Sequence, residues 1–205
     1  MLKLESIKFK YDNSNEQILD GFNLELAEGE TLAILGASGC GKSTILRIIA
    51  GLEIPQEGSV YINDVDVSKV PTEKRNVGFV FQEYALFPHM TVYENINYGL
   101  NSKGNKKKIE EVAKLVGITE YLKRYPHELS GGQRQRVALA RSIAYQPNIL
   151  LLDEPFSNLD TELKDQIRND LKNILNKTNI TTILVTHDKD DAEVLADKVL
   201  SLSDK

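Results

Sequence analysis

Three short stretches hold residues whose types and spacing suit phosphate chemistry. The first is GASGCGKST, Gly36 to Thr44. Its first eight residues fit the pattern G-x-x-x-x-G-K-[ST], and each place in that pattern has a chemical reason. Gly36, Gly39 and Gly41 let backbone N–H groups turn inward around an anion that side chains would otherwise obstruct. A helix opening near Lys42 points its positive end at the same anion. Lys42 supplies a charge for the outer phosphates, and the Ser43 hydroxyl suits Mg²⁺. The phosphate-binding set read from this loop is Gly36, Ser38, Gly39, Cys40, Gly41, Lys42, Ser43 and Thr44, with Cys40 a small spacer.

The second stretch is ILLLDE, an apolar run that ends in Asp153 and Glu154. A buried strand that stops at a polar loop would look the same. A parallel strand beside a phosphate loop, however, delivers its C-terminal end to the ligand crevice. Asp153 is then placed to hold Mg²⁺, and Glu154 to orient or deprotonate an attacking water. The third stretch is LSGGQ, Leu129 to Gln133. It has no lysine, so it cannot grip an outer phosphate unaided. Ser130, Gly131, Gly132 and a following helix make a second N-terminus that faces an anion.

The elements that must position these residues follow from the hydrophobic pattern. Leu2 to Phe9 alternate, as do Phe22, Leu24 and Leu26, with DNSN as a turn between two half-buried strands. TLAILG is a short apolar strand running into the glycines. KSTILRIIAGL has helical spacing and a stop at Gly51. GSVYIND and NVGFVFQ read as further strands. From Tyr84 to Ala144 the patterns are helical. Strands return at NILLLD, TTILVTH and KVLSLS. Between them lie an amphipathic helix carrying Leu163, Ile167, Leu171, Ile174 and Leu175, with Asp160 as its N-cap, and a helix in DKDDAEVLA. Strands alternating with helices imply a largely parallel sheet.

The bulk composition excludes several classes. The chain has 205 residues, 41% of them apolar, and a net charge of -5. That length suits one domain with a good core. The acidic balance gives no support to nucleic-acid binding. No apolar run approaches the length of a spanning helix, and the alternating start MLKLESIKFKYD is a strand pattern unlike a signal peptide. A single cysteine, Cys40, excludes an internal disulfide and a multi-cysteine zinc site. Lys106 to Lys108 read as a solvated helix start, and His89 and His127 as surface residues.

Together, the loop at Gly36, the acid pair at Asp153 and the LSGGQ stretch closely resemble the ATP-binding cassette (ABC) ATPases, whose signature motif is LSGGQ. The resemblance implies an α/β fold. Its parts would be a P-loop NTPase core with a mainly parallel sheet, an N-terminal antiparallel β subdomain and an inserted α-helical subdomain. The chain would be one nucleotide-binding domain, with residues 1–83 and 145–205 as core and 84–144 as the helical insert. It implies ATP and Mg²⁺ as ligands. It also implies a head-to-tail pair of copies, with Ser130, Gly131, Gly132 and Gln133 of one facing the phosphates held by Gly39, Lys42 and Ser43 of the other. A lysine is then needed on one face only.

The resemblance extends to single positions. Tyr11 matches the aromatic that stacks on adenine, with Phe9 as its rival; such stacking contributes about 1–3 kcal/mol per base. Gln82 matches the glutamine that reaches Mg²⁺ and the attacking water. Ser157 to Asp160, SNLD, matches the loop that crosses the dimer seam, with Asn158 where alanine is commoner. His187 matches the switch histidine at the γ-phosphate. The implied catalytic set is Glu154, His187, Lys42 and Gln82; the implied metal set is Ser43, Gln82 and Asp153.

Glu83 to Leu100, EYALFPHMTVYENINYGL, resembles the region of bacterial importer ATPases that receives a membrane permease. This implies a peripheral subunit at the cytoplasmic face of the membrane, soluble when isolated, with permease subunits docking near Gln82 to Leu100 and a solute-binding protein in the full system. The group serves iron(III), sulfate, molybdate, thiamine, polyamine and sugar importers, and EPFSNLD leans towards ferric iron. Relatives continue with further helices where this chain ends at Lys205, so no regulatory domain is expected within it. Two competing readings are a cassette that remodels nucleic acid or ribosomes and a regulator that does not hydrolyse. The first lacks the long coiled coils or second cassette it needs. The second is at odds with the presence of Glu154 and His187. A GTPase would need an N-K-x-D run, and none occurs.

Overall fold

The computed structural model describes residues 1–12, 16–100, 106–157 and 161–202, with the side chains of 161–163 outside that description. Two sheets flank one helix. The first sheet is antiparallel and four-stranded, in the order β2-β1-β4-β5, built from β1 (Leu2–Phe9), β2 (Leu19–Leu26), β4 (Glu57–Ile62) and β5 (Val65–Asp66). The second is parallel and five-stranded, in the order β6-β7-β8-β3-β9, built from β3 (Thr31–Leu35), β6 (Val77–Val80), β7 (Ile149–Asp153), β8 (Thr181–Thr186) and β9 (Lys198–Ser201).

Every residue of β7 and β8 is buried, as expected of parallel strands covered on both faces. Their side chains alternate between two cores. Leu32, Ile34, Leu151, Ile183 and Val185 face helix α1 (Lys42–Ala50) and the antiparallel sheet. Ala33, Leu150, Leu152 and Leu184 face a helical layer. That layer comprises α2 (Val92–Gly99), α3 (Lys106–Leu115), α4 (Gly131–Ile143), α5 (Thr161–Thr178) and α6 (Lys189–Leu195). Ile45, Leu46, Ile48 and Ile49 of α1 are fully buried, and each such side chain contributes about 1.5–3 kcal/mol.

Two local departures from the simple strand reading have clear causes. The alternation in β1 breaks at Ser6, which has φ 49°, so that Leu2 and Leu4 share a face with Ile7 and Phe9. Gly58 lies opposite this bulge with φ +95°, and a Cβ there would stand 2.4 Å from the Glu5 carbonyl oxygen. GSVYIND is not a strand throughout. It ends at Ile62, and Asn63 and Asp64, with φ 50° and 62°, turn the chain into β5. Paired positive φ values are those of a two-residue hairpin turn.

Register decides where the loops emerge. Leu35 pairs with Thr186, Asp153 with Val185 and Val80 with Leu152. The ends of β3, β6, β7 and β8 are therefore nearly level, and Gly36, Gln82, Glu154 and His187 leave the sheet along one edge. Lys106 and Lys107 open α3, largely exposed, with Glu110 and Glu111 one turn on at 3.7 and 3.9 Å.

Candidate phosphate and metal site

The loop between β3 and α1 carries left-handed backbone at Gly39 (φ +86°) and Gly41 (φ +100°). Gly41 is the N-cap of α1 and offers no side chain to it. Helices α2, α4 and α6, in contrast, are capped by Thr91, Ser130 and Asp188. The first-turn N–H groups of α1 are thus left for an anion. Gly36 is packed tightly. A Cβ there would lie 2.6 Å from Cys40 Sγ, so Cys40 closes over the turn as a spacer. Lys42 is buried, and its ammonium donates to the carbonyl oxygens of Gly36 (2.8 Å) and Ala37 (2.7 Å). An ammonium has three donors, which leaves one for an outer phosphate.

At the end of β7, Ser43 Oγ donates to Asp153 Oδ1 at 2.8 Å. Burial pushes the Asp153 carboxyl up from its ordinary range. The Ser43 hydrogen bond opposes that shift, and neighbouring Glu154 adds to it. A hydroxyl and a buried carboxylate in contact form a hard-oxygen pair, which fits Mg²⁺. Among the described residues no cluster of three or more His, Cys, Asp or Glu could hold a metal.

Glu154 follows with φ 43°, a left-handed conformation that is costly for a residue with a side chain and concentrates at functional sites. Its N–H donates to Val185 O at 3.0 Å, and its carbonyl accepts from Ser157 Oγ at 3.0 Å. This clamp turns the Glu154 side chain toward the next strand end, where His187 Nδ1 lies 3.4 Å from Glu154 Oε2. The His187 side chain is 58% exposed. Gln82 is exposed in the turn after β6, along the same edge.

Phe9 is 3% exposed and belongs to the core, which removes it as a stacking partner for a base. Tyr11 is half-buried, stands edge-on to Phe9 at 4.9 Å, and shares a 3.1 Å hydrogen bond with Thr44 Oγ1. That bond ties the aromatic to the helix that follows the phosphate loop.

A family model described as ABC transporter matches residues 19–157, more than half of the chain. The chain belongs to the ABC transporter family. It is 47% identical over 205 residues to the spermidine/putrescine import ATP-binding protein PotA of Hahella chejuensis, covering 98% of this chain and 56% of that protein. It is 46% identical over 194 residues to the sulfate/thiosulfate import ATP-binding protein CysA of Pseudomonas aeruginosa, covering 90% of this chain and 59% of that one. The chain thus spans somewhat over half the length of the curated relatives it matches. A solved dimeric cassette, an ATP-binding cassette in a post-hydrolysis state bound to ADP and Pi, superposes with TM-score 0.86 at 34% identity, covering 98% of this chain and 94% of that one.

The ABC signature residues open α4 through a capping box. Gln133 N–H donates to Ser130 Oγ (3.3 Å), and Ser130 N–H to Gln133 Oε1 (2.9 Å). Their hydrogen bonds run to each other rather than to the phosphate loop. Gln133 therefore orders the helix start, and Ser130 keeps its O–H donor. The S-x-x-Q spacing already carries that signal. Asp160 and Asn158 lie outside the described residues. His89 and His127 are exposed.

Sequence reasoning overlooks two further features. Asn95 is fully buried in α2. It accepts from Phe87 N–H and donates to the carbonyls of Phe87, Met90 and Thr91, freezing the loop at 87–91. Arg168 of α5 holds the loop around His187 through the buried Asp191 and the half-buried Asp188. Each residue taken alone reads as an ordinary polar member of an amphipathic helix.

Proposed function

We propose that this chain is the ATP-hydrolysing subunit of a membrane importer, working as a head-to-tail pair of copies that closes on ATP and opens after hydrolysis. The observation that carries this reading is the level edge of the parallel sheet. It sets Asp153, bonded to Ser43 of α1, next to Glu154, which faces His187 at the end of the neighbouring strand. Family membership and the likeness to a dimeric cassette bound to ADP and Pi support it.

In this reading Lys42 and the N–H groups of the Gly36–Gly41 loop bind and orient the phosphates, and Tyr11 stacks on adenine. Ser43 and Asp153, with Gln82, hold Mg²⁺. Mg²⁺ held there would supply neutralisation of the charge on the phosphate oxygens. Glu154 accepts the proton of the attacking water. His187 holds Glu154 in place from the adjacent strand end and reaches the terminal phosphate. Ser130, Gly131 and Gly132 of the second copy complete the anion cradle from the other side, with Asp160 at the seam. Residues 84–144 act as one helical body on the core formed by 1–83 and 145–205.

The permease docks near Gln82 to Leu100. There the loop pinned by Asn95 presents a Phe87–Tyr98 aromatic pair, 4.5 Å apart, with Tyr98 largely exposed. Among the described residues no helix is long and apolar enough to cross a membrane. We place the protein at the cytoplasmic face, held by its permease, with a solute-binding protein in the complete system. The relatives named for polyamine and for sulfate import are 47% and 46% identical. Identity alone therefore does not select a solute, and we keep the class as a small ion or solute, ferric iron included.

The test compares steady-state ATP hydrolysis of the wild type with that of Glu154→Gln. Removing the base is expected to lower turnover by about 100-fold or more, while Mg·ATP binding persists and the ATP-bound dimer lives longer on size exclusion. Equal turnover by both proteins would remove Glu154 from its role. Full activity in a strictly monomeric form would remove the shared site.

A further inference from the structure

We propose that Arg168 is the positioning residue for His187, locking the loop that carries the histidine to helix α5. This inference rests on the ATPase reading above. Arg168 is 5% exposed and Asp191 3% exposed. Arg168 Nε donates to Asp191 Oδ1 at 2.6 Å, its Nη2 to Asp188 Oδ2 at 2.6 Å, and its Nη1 to Asp165 Oδ1 at 2.9 Å. Thr186 Oγ1 donates to Asp191 Oδ2 at 2.6 Å and accepts from the Asp188 N–H at 3.0 Å. The two residues flanking His187 are thus joined to each other, and both are joined to Arg168, one directly and one through Asp191. His187 itself is left free to face Glu154.

Burial works against the Arg168 cation, but Asp191, Asp165 and Asp188 together raise its pKa, so the guanidinium stays charged. A well-packed apolar side chain at this place would stabilise the fold at least as well. What a planar fork adds is one fixed geometry for several acceptors at once. That geometry sets the backbone from Thr186 to Asp188, and so the direction in which the imidazole leaves the sheet. Arg168 lies about two turns into α5.

The test uses Arg168→Lys, which keeps a cation for Asp191 but loses the fork, and Asp188→Asn, which keeps a good N-cap for α6 but weakens the Arg168 contact. Both are expected to lower kcat by about 10–100-fold, the usual effect of removing the support of a reacting group, with KM for ATP within about twofold. In a His187→Ala background the same changes are expected to do nothing further. Asp165→Asn, which removes the exposed partner, is expected to leave kcat unchanged. Unchanged kcat in folded Arg168→Lys and Asp188→Asn, or effects that multiply with His187→Ala, would overturn the proposal.

A second readout is independent of turnover. The chain has three histidines. Arg168→Lys is expected to move the ring NMR signals of His187 while those of His89 and His127 stay in place, and an unmoved His187 ring would also overturn it. A wild type that binds but never hydrolyses Mg·ATP defeats the ATPase reading alone, because the NMR arm still decides whether Arg168 positions the ring.

Discussion

The guanidinium of Arg141, in the last turn of α4, donates to the carbonyl oxygens of Ala85 (2.7 Å) and Tyr84 (3.1 Å). These two residues hold left-handed backbone, with φ 63° at Tyr84 and 47° at Ala85. They follow Gln82 after a single intervening residue, Glu83. The helix that opens with the signature serine therefore ends by clamping the strained turn behind the Gln82 side chain. Phe87 stacks over the same guanidinium, with Arg141 Cζ 5.4 Å from its ring centroid.

Removing this clamp has a definite expected result. Arg141→Met leaves two carbonyls without their charged donor and should destabilise the protein by about 1–3 kcal/mol in urea unfolding. Arg141→Lys should recover only part of this, because one ammonium cannot reproduce the planar fork. Full recovery by lysine would show that charge alone holds the turn.

Tyr145 gives a prediction for alkaline pH. Burial pushes its phenol up to about 12, from an ordinary value of 10.0. The folded protein thus keeps this proton where the unfolded chain releases it. The stability it contributes is complete below pH 10 and falls as the pH rises towards 12. Tyr145→Phe should flatten that decline, seen as a smaller loss of thermal midpoint between mildly and strongly alkaline buffers. Parallel losses in both proteins would show that Tyr145 does not titrate late.

Much of this architecture is legible in the residues. The apolar runs at Thr31, Ile149 and Thr181 read directly as parallel strands because both faces are covered, and the residues proposed for catalysis sit where such runs stop. What escapes the reading is pairwise. The Ser6 bulge becomes visible only with Gly58 across from it. The Asn63–Asp64 turn lacks the glycine that usually marks such a hairpin. Arg168 and Arg141 look like solvated members of polar helix faces, since the acceptors that give them their roles, Asp188 and Asp191 for one and the Tyr84 and Ala85 carbonyls for the other, lie on other elements and hydrophobic period carries no trace of them.

Gly132 separates the demands of packing from those of anion binding. A Cβ at this position would stand 2.8 Å from Ile167 Cδ1 of α5, so alanine must push that side chain aside. Overpacking of this kind costs about 1–3 kcal/mol, set against a gain of up to about 1 kcal/mol from removing a helical glycine. Gly132→Ala should therefore be neutral to moderately destabilising. Ile167→Val deletes the opposing methyl at a cost of about 0.5–1.5 kcal/mol. Because the two groups meet, the two changes are not additive, and the double variant should be more stable than their sum by over about 0.5 kcal/mol. Additive stabilities would sink the steric account. Activity then reads the second role. If the double variant regains stability yet still fails to hydrolyse ATP or to form the ATP-bound dimer, Gly132 is bare because a phosphate must approach its backbone. If activity returns with stability, the glycine serves the α4–α5 contact alone, and the anion cradle of the second copy rests on Ser130 and Gly131.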